Sequence, residues 1–292
     1  MSVEATSPVA GVAEEPGVAK PDPILVVDHM RRSFGGLVAV DVDHLEFQRG
    51  VITALIGPNG AGKTTLFNLL TRFDRPDTGR TLLNGHDVTG LSPHRLAKLG
   101  MVRTFQLTKA LSRLTVMENM KLGATGQGGE RMWRSLFPPL WRPRERAIEA
   151  RAEELLARFK LDHMRDEFAG TLSGGQRKLL EMARALMTDP EVVMLDEPMA
   201  GVNPALTQSL LGHVRSLRDE GISVIFVEHD MDVVRDISQW VVVMAEGSVI
   251  AEGPHDSIGA NRAVIDAYLG SHHGADLDLS SGSEIPRQEP RQ

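Results

Sequence analysis

Residues 57–65 read GPNGAGKTT, a glycine-rich run closed by a lysine and two hydroxyl residues. The spacing G-x-x-x-x-G-K-[ST] serves phosphate chemistry. Gly57, Gly60 and Gly62 let the backbone through Pro58, Asn59 and Ala61 curl until its N–H groups face a β-phosphate. Lys63 then reaches the β- and γ-oxygens of a nucleotide such as ATP, and Thr64, followed by Thr65, offers a hydroxyl to Mg²⁺. A loop of this kind needs an acidic partner at the end of a neighbouring strand. VVMLDEP at 192–198 supplies one, with Asp196 for the metal and Glu197 to orient or polarise the attacking water, although two carboxylates after an apolar strand also make a plain turn.

Four further features carry possible chemistry, each with a plainer alternative. His229 follows the strand-like SVIFVE and can donate to a γ-phosphate; alone it reads as the first residue of a helix, but its place after this strand favours the phosphate. Gln106 ends MVRTFQ with an amide able to meet both Mg²⁺ and the water. Phe34, in SFGG, is either a core residue or a ring on which adenine stacks. In TLSGGQRKLLEMARAL (171–186), Ser173 is an N-cap whose hydroxyl, with the N–H groups of Gly174, Gly175 and Gln176, can hold an anion. Leu179, Leu180, Ala183 and Leu186 would anchor that helix, and an ordinary capped helix fits equally well.

The elements that must position these residues alternate between β-type and helical runs, which predicts a mainly parallel sheet flanked by helices. ILVVD (24–28), VITALIG (51–57), VVMLD (192–196), SVIFVE (223–228) and WVVVMA (240–245) read as strands. Between them, roughly 93–170 is helical in pattern and reads as an inserted subdomain, with Ile148, Ala152, Leu155, Leu156 and Phe159 at helical spacing. Residues 124–145 form an irregular stretch, either a surface loop packing its own Trp133, Phe137 and Trp141 or a contact surface.

Composition narrows the classes. A chain of 292 residues, 41% apolar and 24% charged, suits a soluble globular protein with a sizeable core. A formal net charge of −7 gives no overall field for nucleic acid. The absence of cysteine excludes disulfides, thiol catalysis and cysteine-held metals. The longest apolar runs fall well short of the roughly 18 residues a spanning helix requires. Residues 1–23 and 271–292 are poor in apolar residues and read as disordered tails around a domain at 24–270; His272 and His273 in the second tail read as unremarkable polar residues.

Taken in order, Phe34, GPNGAGKTT, Gln106, LSGGQ, VVMLDE and His229 resemble the nucleotide-binding subunit of an ABC transporter, over about residues 24–270. The resemblance implies a P-loop NTPase of the α/β class, with a mainly parallel sheet, an N-terminal antiparallel β region and the inserted helical subdomain. It also implies that LSGGQ serves the nucleotide of a second ATPase subunit, identical or different, across a head-to-tail dimer, so that ATP and Mg²⁺ lie between two chains. VVRTFQ-like sequence at 101–106, TVMENM, EPMAGVNP, VEHDM and VIDAYLG look like the branched-chain amino acid importer branch. That branch implies two membrane-spanning permease subunits, an extracytoplasmic solute-binding protein and a peripheral place on the cytoplasmic face of the plasma membrane. Asn203 departs from the general family pattern, which has Asp there, although this branch looks alike at the position. Lipid or lipopolysaccharide export ATPases are similar across the same motifs. Soluble nucleic-acid-clamping ABC ATPases are the more distant alternative, disfavoured by the missing coiled-coil insertion and the acidic balance.

Overall fold

The structure, a computed structural model, describes residues 8–104, 111–124 and 138–276, with the backbone alone for 138–142, 205 and 270–276. A long hairpin comes first, β1 (Pro23–Phe34) and β2 (Leu37–Gln48). Its turn residues Gly35 and Gly36 have φ of 53° and 90°, the left-handed pair that a tight hairpin requires. The chain then enters a second sheet through β3 (Ile52–Ile56) and returns with β4 (Thr78–Leu83) and β5 (His86–Asp87). The hairpin and these last two strands make a four-stranded antiparallel sheet in the order β2-β1-β4-β5.

The second sheet is six-stranded. It adds β6 (Met101–Arg103), β7 (Val192–Asp196), β8 (Ser223–Val227), β9 (Trp240–Ala245) and β10 (Ser248–Gly253) to β3, in the order β10-β9-β3-β8-β7-β6. All pairs are parallel except β9–β10. Asp196 lies opposite Val227, and Val227 opposite Leu55, so the carboxyl ends of β3, β7 and β8 share one edge.

The helices are α1 (Lys63–Leu70), α2 (Pro93–Lys98), α3 (Val116–Gly123), α4 (Pro138–Arg158), α5 (Gly174–Ala185), α6 (Pro204–Asp219), α7 (Met231–Ile237), α8 (His255–Ala260) and α9 (Arg262–Asp276). Strand residues alternate between two cores. Ile52, Ala54, Val193, Leu195, Val224 and Phe226 join one that includes α3 to α7. Leu55, Val192, Met194, Ile225 and Val242 join the other, with α1 and the antiparallel sheet. Burial on both faces explains why these strands read as continuous apolar runs. In α4 the spacing predicted from sequence holds: Ala152, Leu155 and Leu156 are buried, with Phe159 just beyond, and Ile148 packs at the margin. Each large apolar side chain so buried contributes about 1.5–3 kcal/mol.

The strand at 24–28 belongs to the antiparallel sheet, the N-terminal antiparallel β region that the resemblance implies. The structure departs from the sequence reading elsewhere. The predicted helical insertion at 93–170 contains β6, the edge strand of the six-stranded sheet, which is too short at three residues to register as a period. Residues 8–22, expected as part of a disordered tail, are instead fastened to the sheet. Val9 is buried, and the Lys20 side chain, with no exposure, pairs with Glu252 of β10 at 2.9 Å. Its ammonium lies 4.5 Å from the centroid of the Trp240 ring. Glu252 also accepts from the Gly17 amide at 2.8 Å and the Trp240 indole at 3.1 Å. Low apolar content hid an anchor that is ionic. At the other end α9 runs to Asp276, past the expected start of a tail at 271. The aromatic residues Trp133, Phe137 and Trp141 lie outside the residues whose side chains are described.

Candidate functional site

The loop after β3 owes its shape to glycine. Gly57 has φ 147° and Gly62 φ 95°. A Cβ at Gly57 would stand 2.1 Å from the Met244 carbonyl oxygen, and one at Gly62 2.3 Å from that of Ala39, so backbone from β2 and β9 closes on the loop where a side chain would sit. Gly62 then caps α1, whose first residue is Lys63. The Lys63 ammonium donates to the carbonyls of Gly57 at 2.7 Å and Pro58 at 2.9 Å. Burial lowers its pKa, and the charge of Glu197 acts in the opposite direction. Thr64 is exposed, as are Asn59 and Gly60, while Leu66, Phe67, Leu69 and Leu70 seat the helix in the core. The N-terminus of α1, directly after this glycine-rich loop, is a favourable setting for phosphate.

The acidic residues follow from strand ends. Asp196 closes β7, and Glu197 takes φ 43°, a left-handed conformation that is costly for a side chain with a Cβ. Its amide donates to the Val227 carbonyl at 3.0 Å and its carbonyl accepts from Lys178 of α5 at 3.2 Å. These bonds hold the strained turn. His229, after β8, sets its Nδ1 4.0 Å from the Glu197 carboxylate and 3.8 Å from that of Glu228, with most of the ring in solvent. Those separations are ion-pair range, longer than a hydrogen bond.

Thr64, Asp196 and Glu197 line one cavity of about 410 Å³ together with Arg103, Thr104, Lys178 and Glu181. Three residues there or nearby were not foreseen from sequence. Arg103, at the end of β6, binds Asp196 at 2.5 Å and the Asn68 side chain at 2.6 Å; its only signal was a basic residue ending an apolar run. Glu228 is buried, accepts from the amides of Met199 at 2.9 Å and His229 at 3.4 Å, and has its pKa raised by burial. A carboxylate directly continuing an apolar strand was the available hint. Tyr268 of α9 accepts a hydrogen bond from the Gly57 amide, while burial raises its pKa; nothing in the local sequence ties it to the loop.

The remaining sequence candidates lie elsewhere. Ser173 caps α5 in a reciprocal box, its Oγ accepting from the Gln176 amide at 3.3 Å and the Gln176 side chain accepting from the Ser173 amide at 2.9 Å. Ser173 and Gly174 are exposed, and Gly175 is buried where a Cβ would strike Leu206 of α6 at 1.5 Å. None of Ser173, Gly174, Gly175 or Gln176 lines the 410 Å³ cavity; only Lys178 and Glu181, further along the same helix, reach it. Phe34 is 46% exposed, with the Arg32 guanidinium 4.6 Å from its ring centroid, so the core alternative does not apply. Asn203 caps α6 through a bond from the Leu206 amide at 3.0 Å, a task its amide oxygen performs as well as a carboxylate. Gln106 lies outside the described residues. Among the described residues no group of three or more His, Asp or Glu gathers as a metal cage, and no helix is long and apolar enough to cross a membrane. One carboxylate and one hydroxyl beside a phosphate loop do suit Mg²⁺, which takes few protein ligands and completes its shell with substrate oxygens and water.

Known proteins resemble this chain in sequence and in fold. Residues 40–200 match the ABC transporter family, and residues 248–274 match the family described as branched-chain amino acid ATP-binding cassette transporter. The chain is 42% identical to "Probable branched-chain amino acid transport ATP-binding protein LivG" of Archaeoglobus fulgidus, over 85% of this chain and 96% of that one. It is 40% identical to the high-affinity branched-chain amino acid transport ATP-binding protein BraF of Pseudomonas aeruginosa, over 85% and 98% of the two chains. A solved ATP-binding cassette of an ABC transporter in its ADP conformation superposes with a TM-score of 0.75 at 38% identity, covering 85% of this chain and 99% of the other.

Proposed function

From the premise that this chain belongs to the ATP-binding subunits of ABC transporters, we propose that it powers import of branched-chain amino acids by closing on and hydrolysing ATP at a dimer interface. It is an ATPase subunit of a transporter and works with membrane permeases. The observation that carries the solute assignment is relatedness of about two residues in five, over nearly the full length of relatives named for branched-chain amino acid transport, joined to the separate match at 248–274.

In this reading the loop at 57–65 wraps the phosphates with its amides, and Lys63 exchanges its carbonyl partners for phosphate oxygens. Mg²⁺, held by Thr64 and Asp196 with Gln106, would neutralise charge on the β- and γ-oxygens. Glu197 accepts the proton of the attacking water, and its left-handed backbone supplies the aim. His229 donates to the γ-phosphate and, beside Glu197, links the two roles. Phe34 offers its open ring to the adenine.

The cap formed by Ser173, Gly174, Gly175 and Gln176, of which Ser173 and Gly174 are exposed, is not part of the lining of its own cavity, which supports a role on the nucleotide of a second ATPase subunit. One γ-phosphate then satisfies donors from two chains, so binding closes the dimer and hydrolysis loosens it. The permease pair, an extracytoplasmic binding protein and a peripheral cytoplasmic position complete the assembly. Deleting the protein in its native cell and measuring uptake of labelled leucine, isoleucine and valine tests the solute. We expect all three to fall, with restoration by the intact chain; unchanged uptake of all three refutes the assignment.

A further inference from the structure

We propose that Arg103 is a built-in counter-cation of Asp196 which a divalent metal must displace, so that this arginine sets how tightly the site takes magnesium. The inference rests on the reading of Asp196 as a metal ligand. Arg103 lies opposite Met194 in the β6–β7 ladder, two residues before Asp196 on the same face, so its side chain reaches forward to the carboxylate. The guanidinium meets Asp196 at 2.5 Å, and its other arm meets Asn68 of α1 at 2.6 Å. It sits 5.1 Å from the ring centroid of Phe67 and 5.8 Å from that of Phe73. The Arg103 side chain is 11% exposed and that of Asp196 31%. This is a held arginine, not a mobile surface charge.

The electrostatics explain why a cation belongs there. Asp196, Glu197 and Glu181 line one small cavity, with Lys178 as the other positive group. Arg103 is the cation bonded to Asp196 itself, whereas Lys63 acts on Glu197 and Arg184 on Glu181. A divalent ion on the same carboxylate would stand within a few ångströms of the guanidinium, where like charges at reduced dielectric repel strongly. The two cations therefore compete for Asp196. Space for the loser exists: Arg103 also borders a second cavity, of about 720 Å³, lined by Thr71, Phe73, Leu96, Ala97 and Leu122. Swinging that way keeps the guanidinium beside Phe73 while it releases Asp196.

The test is direct binding of Mn²⁺, followed by electron paramagnetic resonance, to the full chain saturated with the non-hydrolysable analogue AMP-PNP. Arg103→Gln removes the charge and should bind Mn²⁺ about five- to tenfold more tightly, because a charge-assisted bond no longer has to break. Arg103→Lys keeps the charge and should stay near the parent. Asn68→Ala, which removes the tether and leaves the arginine, should shift affinity the same way by a smaller factor and serves if Arg103→Gln does not fold. The nucleotide-free Arg103→Gln protein should also melt earlier than the parent, while the metal–nucleotide complexes of the two melt closer together. Equal or weaker Mn²⁺ binding by Arg103→Gln and Asn68→Ala overturns the proposal. If the parent binds AMP-PNP equally with and without Mn²⁺, the metal reading of Asp196 itself falls and takes the Arg103 proposal with it.

Discussion

Replacing Lys20 by Met should destabilise the whole protein, although Lys20 lies in a segment that composition marks as disordered. The Lys20 and Glu252 side chains have no exposure and meet at 2.9 Å. Removing the ammonium leaves the Glu252 carboxylate buried with two neutral donors, the Gly17 amide and the Trp240 indole. Losing one member of a buried ion pair costs about 3–5 kcal/mol, because the remaining charge stays desolvated. At about 2–4 °C per kcal/mol for a domain of some 150–250 residues, the melting temperature should fall by roughly 6–20 °C. Glu252→Gln is a different lesion. Its amide presents one oxygen to two donors, so either Gly17 or Trp240 loses its acceptor at a cost of about 1–3 kcal/mol. The double variant removes both charges and should therefore be less damaged than the sum of the single changes. Urea titration of all four proteins, followed by tryptophan fluorescence, measures the coupling. If Lys20→Met and a chain lacking residues 1–22 both unfold with the parent, the buried anchor is wrong and the segment is a tail.

Two other outcomes follow from the geometry. Glu197→Gln keeps the shape of the strained turn but removes the proton acceptor, so steady ATP turnover should fall by about 10²- to 10⁴-fold while ATP still drives dimer formation in size-exclusion chromatography; normal hydrolysis contradicts the role given to Glu197. His44 and His213 should shift stability in opposite pH directions. Burial opposes the charged form of His44, yet Asp28 at 2.7 Å and Glu46 at 3.1 Å raise its pKa. Its contribution is thus complete below the unfolded value of about 6.5 and is lost as pH rises through the raised pKa. Burial, with Arg158 and Lys160 nearby, lowers the pKa of His213, which stacks on Phe159 at 4.4 Å. Its contribution is present above about 6.5 and is lost as pH falls through the lowered pKa. Melting curves of His44→Gln and His213→Gln against the parent from pH 5 to 8 should diverge at opposite ends, and parallel profiles would remove both assignments.

What the sequence by itself determined is whatever neighbouring residues enforce. A nine-residue loop carries its own glycines, lysine and hydroxyls, and a capped helix carries its own Ser173 and Gln176, so both are legible without knowing what lies across the fold. Strands buried on two faces announce themselves as apolar runs, and α4 shows its core side at helical spacing. The tertiary structure decided what distant segments do to one another. Strand order brings Thr64, Asp196 and Glu197 to one cavity and seats Arg103 among them. It buries Glu228, carries Tyr268 to the Gly57 amide, and pins Lys20 to Glu252 across 232 residues. The reason is that backbone preference and side-chain period act over a few residues, whereas a charge finds its partner only after the chain has closed around both.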